Sequence, residues 1–270
     1  MKHAILVSHG TDDHTGAANI RALVDAVQQQ LPDTAIHEAF VDVQHPQLPE
    51  VLARVIAADP SGDFTVIPLL LSTGFHVRKD ITDAVTEALP LLDGGSLKVT
   101  QALGPSLMVI DLLYQRVREA GWLPDDILVL AVAGSSDEAA VEQCRLVHLI
   151  LQESIHETHP SARIELAFLS AVEPKLKDLI PKLKFQNPRR KVLVANYLLA
   201  PGFFNNLANK AGAHSVAQPL LAEGQPIASQ MVQIVLQRLV EANQPDGTLG
   251  CTKPADTDWI CAAGCAVRCR

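Results

Sequence analysis

Cysteine is absent from the first half of the chain, since the five cysteines begin only at Cys144. A cysteine nucleophile is therefore excluded from that half. The sequence also lacks the GxSxG pattern of serine hydrolases and the GxxxxGK[ST] loop that cradles nucleotide phosphates. These absences argue against the commonest covalent hydrolases and against a Walker-type ATP site.

Positive charge and long apolar runs are also scarce. There are 22 Lys and Arg residues against 30 Asp and Glu, a formal net charge of −8. We expect no general affinity for nucleic acid, and an anionic ligand would need a local basic patch. No apolar run approaches the roughly 18 residues that span a bilayer. The opening stretch MKHAILVSHGTDD has too short an apolar run for a secretory signal. We therefore expect a cytoplasmic protein without a membrane partner, whose cysteines are poor candidates for structural disulfides.

The sequence does contain a regular alternation of strand-like and helix-like segments. Apolar, β-branched runs occupy 3–8, 34–40, 64–71, 96–103, 126–133, 162–168, 190–199 and 213–218. Helical patterns fill about 15–31, 47–58, 78–90, 105–119, 137–157, 173–184, 203–211 and 226–242. Pro105 suits the first turn of its helix. Strands separated by single helices predict βα units and parallel sheets buried on both faces.

The second half of the chain repeats the first. AFVDVQHP (39–46) matches AFLSAVEP (167–174), and VIPLLLSTGFH (66–76) matches VANYLLAPGFF (194–204); both offsets are 128, from 167 − 39 and 194 − 66. Two matches in phase indicate an internal duplication. We predict an α/β fold of two similar lobes, each a parallel four-stranded sheet flanked by helices, with an interlobe cleft at the carboxyl ends of the strands. The predicted divisions are 1–120, which carries the active site, 127–243, and a cysteine-rich tail at 244–270.

Differences between the two copies point to chemistry. Glycine, phenylalanine and proline recur at equivalent positions, which the fold alone explains; the pairs are Gly10 with Gly134, Phe40 with Phe168, Pro46 with Pro174, and Gly74 with Gly202. Ionisable residues of the first copy are lost in the second; the pairs are His9 with Ala133, His76 with Phe204, Asp42 with Ser170, Arg78 with Asn206, and Asp80 with Ala208. Both histidines follow predicted strands that can meet at one sheet edge. Each can also be read as an ordinary hydrogen-bonded structural residue.

Two imidazoles beside a carboxylate suit the insertion of a metal into a nitrogen macrocycle. Neutral imidazole is a base near pH 7 and a ligand for Fe²⁺, Co²⁺, Ni²⁺ and Zn²⁺. Such a reaction requires the ring to lose two pyrrole protons while the ion sheds its waters. A loose two-histidine site can hold the ion, take up protons and still release the product.

Three segments in order resemble the sirohydrochlorin chelatase family, the class II tetrapyrrole chelatases. They are ILVSHGT, AFVDVQHP and VIPLLLSTGFHVRKDI; residues 3–118 resemble the family closely, and 127–242 resemble the degenerate half of its two-lobed members. The resemblance implies a lyase that inserts Fe²⁺ or Co²⁺ into sirohydrochlorin without ATP, for sirohaem or cobalamin biosynthesis. It also implies a chelatase-like fold for each lobe. Thr82 and Thr11 stand where the family usually has proline and serine, which weakens any inference about exact metal geometry.

Carried over residue by residue, the resemblance places the catalytic and metal-handling histidines at His9 and His76. Its acidic position falls on Asp42, one methylene shorter than the usual glutamate. Next to His76, Arg78 and Lys79 can pair with carboxylates of the anionic tetrapyrrole, although a solvated helical turn explains them equally well. Two further histidines are less specific. His14 can join the metal site or belong to the start of a helix, and His45 is a surface or capping candidate.

Four cysteines fall in the tail, after the βα pattern ends near residue 243. They are Cys251, Cys261, Cys265 and Cys269. Clustered thiols in a reducing compartment suggest an iron–sulfur cluster or another thiolate metal site, and some longer family members resemble this chain in carrying a C-terminal cluster. A structural zinc or a disordered tail stays open as well. Cys144, inside a helical pattern, is expected to be an ordinary buried thiol.

Rival functions are also consistent with parts of this pattern. A two-lobed metal or tetrapyrrole carrier would use the same cleft and histidines without catalysis. A histidine phosphatase would need an arginine before His9, where Ser8 stands. The sequence does not choose between iron and cobalt. Because the duplication supplies both lobes, a monomer is expected.

Overall fold

A computed structural model describes residues 1–72 and 74–243, and at Phe75 and His76 it describes the backbone alone. Strands and helices alternate as predicted. The strands are β1 (Lys2–Ser8), β2 (Thr34–Phe40), β3 (Asp63–Pro68), β4 (Ser96–Val99), β5 (Ile127–Val132), β6 (Arg163–Phe168), β7 (Val192–Asn196) and β8 (Ser215–Val216). The helices are α1 (His14–Gln30), α2 (Leu48–Ala58), α3 (Phe75–Ala88), α4 (Leu107–Glu119), α5 (Glu138–His156), α6 (Leu176–Gln186), α7 (Phe203–Asn209) and α8 (Ser229–Ala242).

The strands form two parallel sheets of identical topology. Their orders are β2-β1-β3-β4 and β6-β5-β7-β8. In each sheet the first strand pairs with the next two strands of its half, so β1 and β5 lie at central positions. Apart from Lys2, every residue of these two strands is buried, as expected where helices cover both faces of a parallel sheet. The predicted α/β fold of two similar lobes is confirmed.

The last helix of each half packs on the sheet of the other half. Helix α4 contacts β7, whereas α8 contacts β3 and α1. The largest apolar core therefore contains residues of both halves, including Leu6, Leu112, Leu130 and Met231. The buried Arg238 of α8 strengthens this exchange, because its guanidinium donates to the Ala102 carbonyl at 2.8 Å. The two sheets are thus joined by shared helices in addition to the connecting chain.

Some element boundaries differ from the sequence prediction. Helix α3 begins at Phe75, not near residue 78, because the Gly74 carbonyl already accepts from the Arg78 N–H at 3.0 Å. This places His76 in the first helical turn, not in the preceding loop. Pro105 lies before α4, which begins at Leu107 with Ser106 at its N-cap. β4 ends at Val99 and β8 has two residues; each is an edge strand paired on one side only.

Among the described residues, the helices are too short or too polar to cross a membrane.

Candidate functional site

The loop after β1 carries His9 on a tightly fixed backbone. Ser8 ends the strand with 5% exposure, and the next residue, His9, is exposed. Gly10 then adopts φ 93°, and a Cβ placed on it would lie 2.2 Å from the carbonyl oxygen of Asp42. Both the left-handed backbone and this close approach require glycine. The fold therefore dictates Gly10, whereas it does not dictate the imidazole that precedes it.

His9 and Asp42 are brought together by backbone hydrogen bonds. The Val41 N–H donates to the Ser8 carbonyl at 2.9 Å, and the Asp42 N–H donates to the His9 carbonyl at 3.0 Å. The exposed Asp42 side chain also accepts from the Val43 N–H through Oδ1 at 2.7 Å. Val43 has φ 62°, so one carboxylate oxygen stabilises a strained turn. The residue at the family's acidic position therefore also takes part in the local turn.

His76 lies at the same edge of the sheet as His9. Strands β1 and β3 are parallel neighbours with Val7 opposite Pro68, and the Leu69 N–H donates to the Val7 carbonyl at 2.7 Å. The chain then enters α3, whose second residue is His76. The predicted convergence of the two histidine-bearing segments thus holds at the level of the backbone. The His76 side chain lies outside the described residues.

The two predicted basic residues of α3 are engaged in ion pairs. Arg78 donates through Nη2 to Asp137 Oδ2 of the second lobe at 3.1 Å. Lys79 donates to Asp83 one turn further along α3 and is 56% exposed. The hydrogen bond and charge of Asp83 raise the pKa of Lys79. Each of the two cations therefore already has a carboxylate partner within the protein.

The other predicted positions are distributed around this edge. His14 is the first residue of α1 and is exposed. His45 is 72% exposed and its Nδ1 lies 3.1 Å from Glu50 Oε1, where Glu50 closes the capping box of α2. Asp80 lines a cavity between α2 and α3 together with Val41. Within the described portion of the chain, no group of three or more His, Cys, Asp or Glu side chains is arranged to hold a metal ion.

Loops from the second lobe meet this edge directly. A Cβ on Gly74 would lie 3.2 Å from Ser135 Oγ, and one on Gly16 would lie 2.3 Å from the Pro201 carbonyl oxygen. The first of these contacts recurs with the lobes exchanged, because a Cβ on Gly202, the equivalent of Gly74, would lie 3.5 Å from Thr11 Oγ1. The carboxyl edges of both sheets therefore face each other. A polar cavity of about 200 Å³ lies between them, lined by Asp13, Thr15, Pro201, Asn205, Asn206, Asn209, Val216, Ala217, Gln218 and Glu223.

Tyr197 makes a further contact between the lobes that the sequence patterns did not single out. It is 3% exposed, and its hydroxyl donates to the Leu71 carbonyl in the loop after β3 at 3.5 Å. Burial raises the pKa of this hydroxyl well above its ordinary value, so the group stays a neutral donor. Gly104 closes over it, because a Cβ there would lie 2.3 Å from the tyrosine oxygen. Leu71, three residues after the end of β3, is thus contacted from the second lobe.

Asp137 is the charged residue at this edge that sequence reasoning missed. The signal was available in the duplication, because the segments after β1 and β5 both place aspartate at the N-cap of the following helix, at Asp13 and Asp137.

Comparison with known proteins identifies the fold and its relatives. Residues 3–120 match the family model described as CbiX. This segment contains the three motifs that resemble the sirohydrochlorin chelatase family. His9, Asp42, His76 and Arg78 all lie within the matched residues.

Relatives from bacteria and archaea carry chelatase names. A protein of Bacillus subtilis (strain 168) named sirohydrochlorin ferrochelatase is 23% identical over 208 residues, which cover 76% of this chain and 77% of the relative. A Methanosarcina acetivorans protein named sirohydrochlorin cobaltochelatase is 24% identical over 123 residues, which cover 43% of this chain and 94% of the relative.

A solved structure shares the two-lobed fold. The structure of SirB from Bacillus subtilis with Fe³⁺ superposes with a TM-score of 0.76 at 21% identity, covering 93% of this chain and 99% of that one. At this identity the likeness establishes the fold alone. The tail cysteines Cys251, Cys261, Cys265 and Cys269 lie outside the described residues, and none of these comparisons supports an iron–sulfur cluster.

Proposed function

We propose that this protein inserts Fe²⁺ or Co²⁺ into sirohydrochlorin. The observation that carries the proposal is the placement of His9 and His76 at the carboxyl edge of adjacent strands, inside the segment that matches the chelatase family. The names of the relatives supply the substrate, and both metals occur among those names. Metal insertion is the reaction that this pair of residues serves best.

The reaction balances without a redox partner. The divalent ion forms bonds to the macrocycle nitrogens, and two pyrrole nitrogens release their protons, so the metal keeps its charge and two protons leave. His9 is exposed beside the cleft, which lets its imidazole meet an incoming aquated ion or accept a proton. We assign the same two tasks to His76. A neutral imidazole is a good enough ligand to strip water from the ion without trapping it.

We place the anionic tetrapyrrole between the two facing sheet edges. Lys79 is the exposed cation nearest to His76 along the chain, so it is our first candidate for a carboxylate of the ring. Arg78 and Asp42 are the other residues expected from sequence near the ring, and Arg78 already pairs with Asp137. With a chain charge of −8, binding has to rely on such local cations. Replacing Lys79 with Gln should raise the KM for sirohydrochlorin and leave kcat nearly unchanged.

The reaction is proposed to need no nucleotide, since the sequence has no GxxxxGK[ST] loop and insertion of the ion is not coupled to phosphoryl transfer. Addition of ATP and Mg²⁺ should leave the insertion rate unchanged. The protein is further proposed to act as a cytoplasmic monomer, and light scattering of the purified chain at micromolar concentration checks its mass.

Anaerobic mixing of sirohydrochlorin with Fe²⁺ or Co²⁺ tests the function and separates an enzyme from a carrier. Formation of the metallated ring is followed by its absorption spectrum. An enzyme at one-hundredth of the substrate concentration should convert all of it and accelerate each turnover. A carrier would change the spectrum only in proportion to the protein added, and that outcome would contradict catalysis. The ratio of kcat/KM for the two ions then decides between iron and cobalt.

The tail is proposed to hold a metal group through its four cysteines, with an iron–sulfur cluster as the first candidate. Visible and electron paramagnetic resonance spectra of anaerobically purified protein test this. A chromophore lost on replacing Cys261 with Ser supports the proposal, whereas a colourless protein without iron or zinc contradicts it.

A further inference from the structure

The start of α3 lies close to the second lobe at two points. At Gly74, the N-cap of the helix, the backbone approaches Ser135 so closely that an added Cβ would lie 3.2 Å from its hydroxyl oxygen. One turn later, Arg78 Nη2 donates to Asp137 Oδ2 at 3.1 Å. Both partners come from the short segment between β5 and α5. Along the chain, His76 lies between Gly74 and Arg78.

The Arg78–Asp137 pair is shielded from water. The two side chains are only 15% and 17% exposed. A pair in this position is screened less by solvent and salt than an exposed pair such as Lys79–Asp83, at 56% and 52% exposure. The charge-assisted hydrogen bond therefore provides a directional contact between the lobes.

Asp137 is itself held in a fixed orientation. Its Oδ1 accepts from the Ala139 N–H at 3.1 Å as the N-cap of α5, and its own N–H donates to Ser135 Oγ at 3.0 Å. With Oδ1 on α5 and Oδ2 on Arg78, each carboxylate oxygen has a separate partner. Helix α5 is anchored in the shared core through Val141 and Val147. The carboxylate consequently connects a rigid element of the second lobe to the helix that carries His76.

The equivalent positions in the exchanged halves show that the fold does not require this ion pair. In the first half, Asp13 is the equivalent of Asp137: its Oδ1 caps α1 by accepting from the Gly16 N–H at 2.8 Å, and its N–H donates to Thr11 Oγ1 at 3.1 Å. The position equivalent to Arg78 is Asn206, which has no charge to offer. The cap is thus common to both halves, whereas the arginine occurs only in the half that carries the two histidines.

We propose that Arg78 and Asp137 form a positioning pair that orients the first turn of α3, and with it His76, across the interface between the lobes. This inference rests on the proposed function. It gives the second lobe, which has lost the equivalents of His9 and His76, a part in the reaction that acts through the position of His76. It also assigns Arg78 to the protein's own carboxylate in preference to a carboxylate of the tetrapyrrole.

Replacement of Asp137 by Asn separates the cap from the pair. Asparagine caps a helix about as well as aspartate, so α5 should keep its stability, while the charge that holds Arg78 is lost. Since a misplacement of about 1 Å can cost about a hundredfold in rate, we expect kcat for metal insertion to fall by about tenfold or more. The KM for sirohydrochlorin should change less than twofold. Asp137→Glu should recover part of the rate.

Three comparisons make the test decisive. Glu38→Gln is the matched control, because it removes the Arg21–Glu38 ion pair of 2.9 Å at the edge of the first sheet; it should keep the wild-type rate. The double variant Arg78→Gln, Asp137→Asn should be no slower than the slower single variant. Titration with Co²⁺ alone, followed by its visible absorption bands, should show weaker binding to the Asp137→Asn protein.

Different results would overturn the positioning role of the pair and the proposed function of the protein. Wild-type protein that does not accelerate insertion would overturn the function, while the Co²⁺ titration would still report on the pair. Active wild-type protein with an Asp137→Asn variant of equal kcat and equal Co²⁺ affinity would overturn the positioning role. So would an Arg78→Gln variant that raises only the KM for sirohydrochlorin, because that result assigns Arg78 to the substrate.

Discussion

Gly10→Ala perturbs the backbone beside His9 without removing a functional side chain. Gly10 has φ 93°, and an alanine in this left-handed conformation is destabilised by about 1–2 kcal/mol. The new Cβ would lie 2.2 Å from the Asp42 carbonyl oxygen, and ordinary contact begins at 3.4 Å, so the two loops must separate by about 1 Å. At about 2–4 °C per kcal/mol, the backbone strain alone should lower Tm by about 2–8 °C.

The same loop movement should affect metal insertion far more than it affects folding. The His9 carbonyl bonds the Asp42 N–H at 3.0 Å, so separation of the loops displaces the imidazole. We expect kcat to fall by about a hundredfold, measured by stopped-flow absorption well below the Tm of the variant. Calorimetry on the same samples confirms that they are folded.

Gly212→Ala is the control for backbone strain. Gly212 has φ 79° and no atom within 4 Å of an added Cβ. It precedes β8, and so lies toward the amino edge of its sheet, opposite the edge that carries His9 in its own lobe. This variant should show a similar strain-related loss of Tm and a rate within twofold of wild type. A folded Gly10→Ala protein with the wild-type rate would refute the assignment of the β1 loop to the site.

Three further predictions concern stability and reactivity. Burial, then His3 and Arg54, lower the pKa of His37, so the contribution of this histidine to stability is complete above pH 6.5 and is lost as pH falls below that value. Between pH 8 and pH 5, Tm should therefore fall less steeply in the His37→Gln variant than in the wild type. Parallel curves for the two proteins would contradict this. Burial raises the pKa of the Cys144 thiol to about 11, so peptide mapping at pH 8 should show alkylation at least about a hundredfold slower than in urea. The Arg238→Met variant leaves the Ala102 carbonyl without its donor, so its free energy of unfolding in urea should be lower by about 1–3 kcal/mol. An unchanged urea midpoint would show that apolar packing alone holds α8 on the sheet of the first half.

The duplication made much of the fold predictable from sequence. Continuous apolar, β-branched runs predict the strands, and the recurrence of Gly10 at Gly134 identifies a turn that both copies need. The structure confirms the shared turn, since Gly134 has φ 86° and an added Cβ would lie 2.3 Å from the Ser170 carbonyl oxygen. Local patterns succeed here because the constraint itself is local.

Contacts between the halves were not predictable in the same way. Helix α8 has the apolar periodicity of any covering helix, and nothing in that pattern states that it packs on β3 of the other half. Arg78 reads from sequence as a cation beside His76, and only the tertiary structure places Asp137 against it at 3.1 Å. Such pairings depend on how two sheets face each other, which periodicity within one segment does not encode.

The rate of metal insertion by the His9→Ala, His76→Ala double variant tests the central claim most directly. His45→Ala is the matched control, because His45 is a 72% exposed histidine of the same lobe that pairs with Glu50. With Co²⁺ and sirohydrochlorin under anaerobic conditions, the double variant should fall to the rate without protein, while the His45→Ala protein keeps the wild-type rate. Full activity in the folded double variant would contradict the two-histidine site.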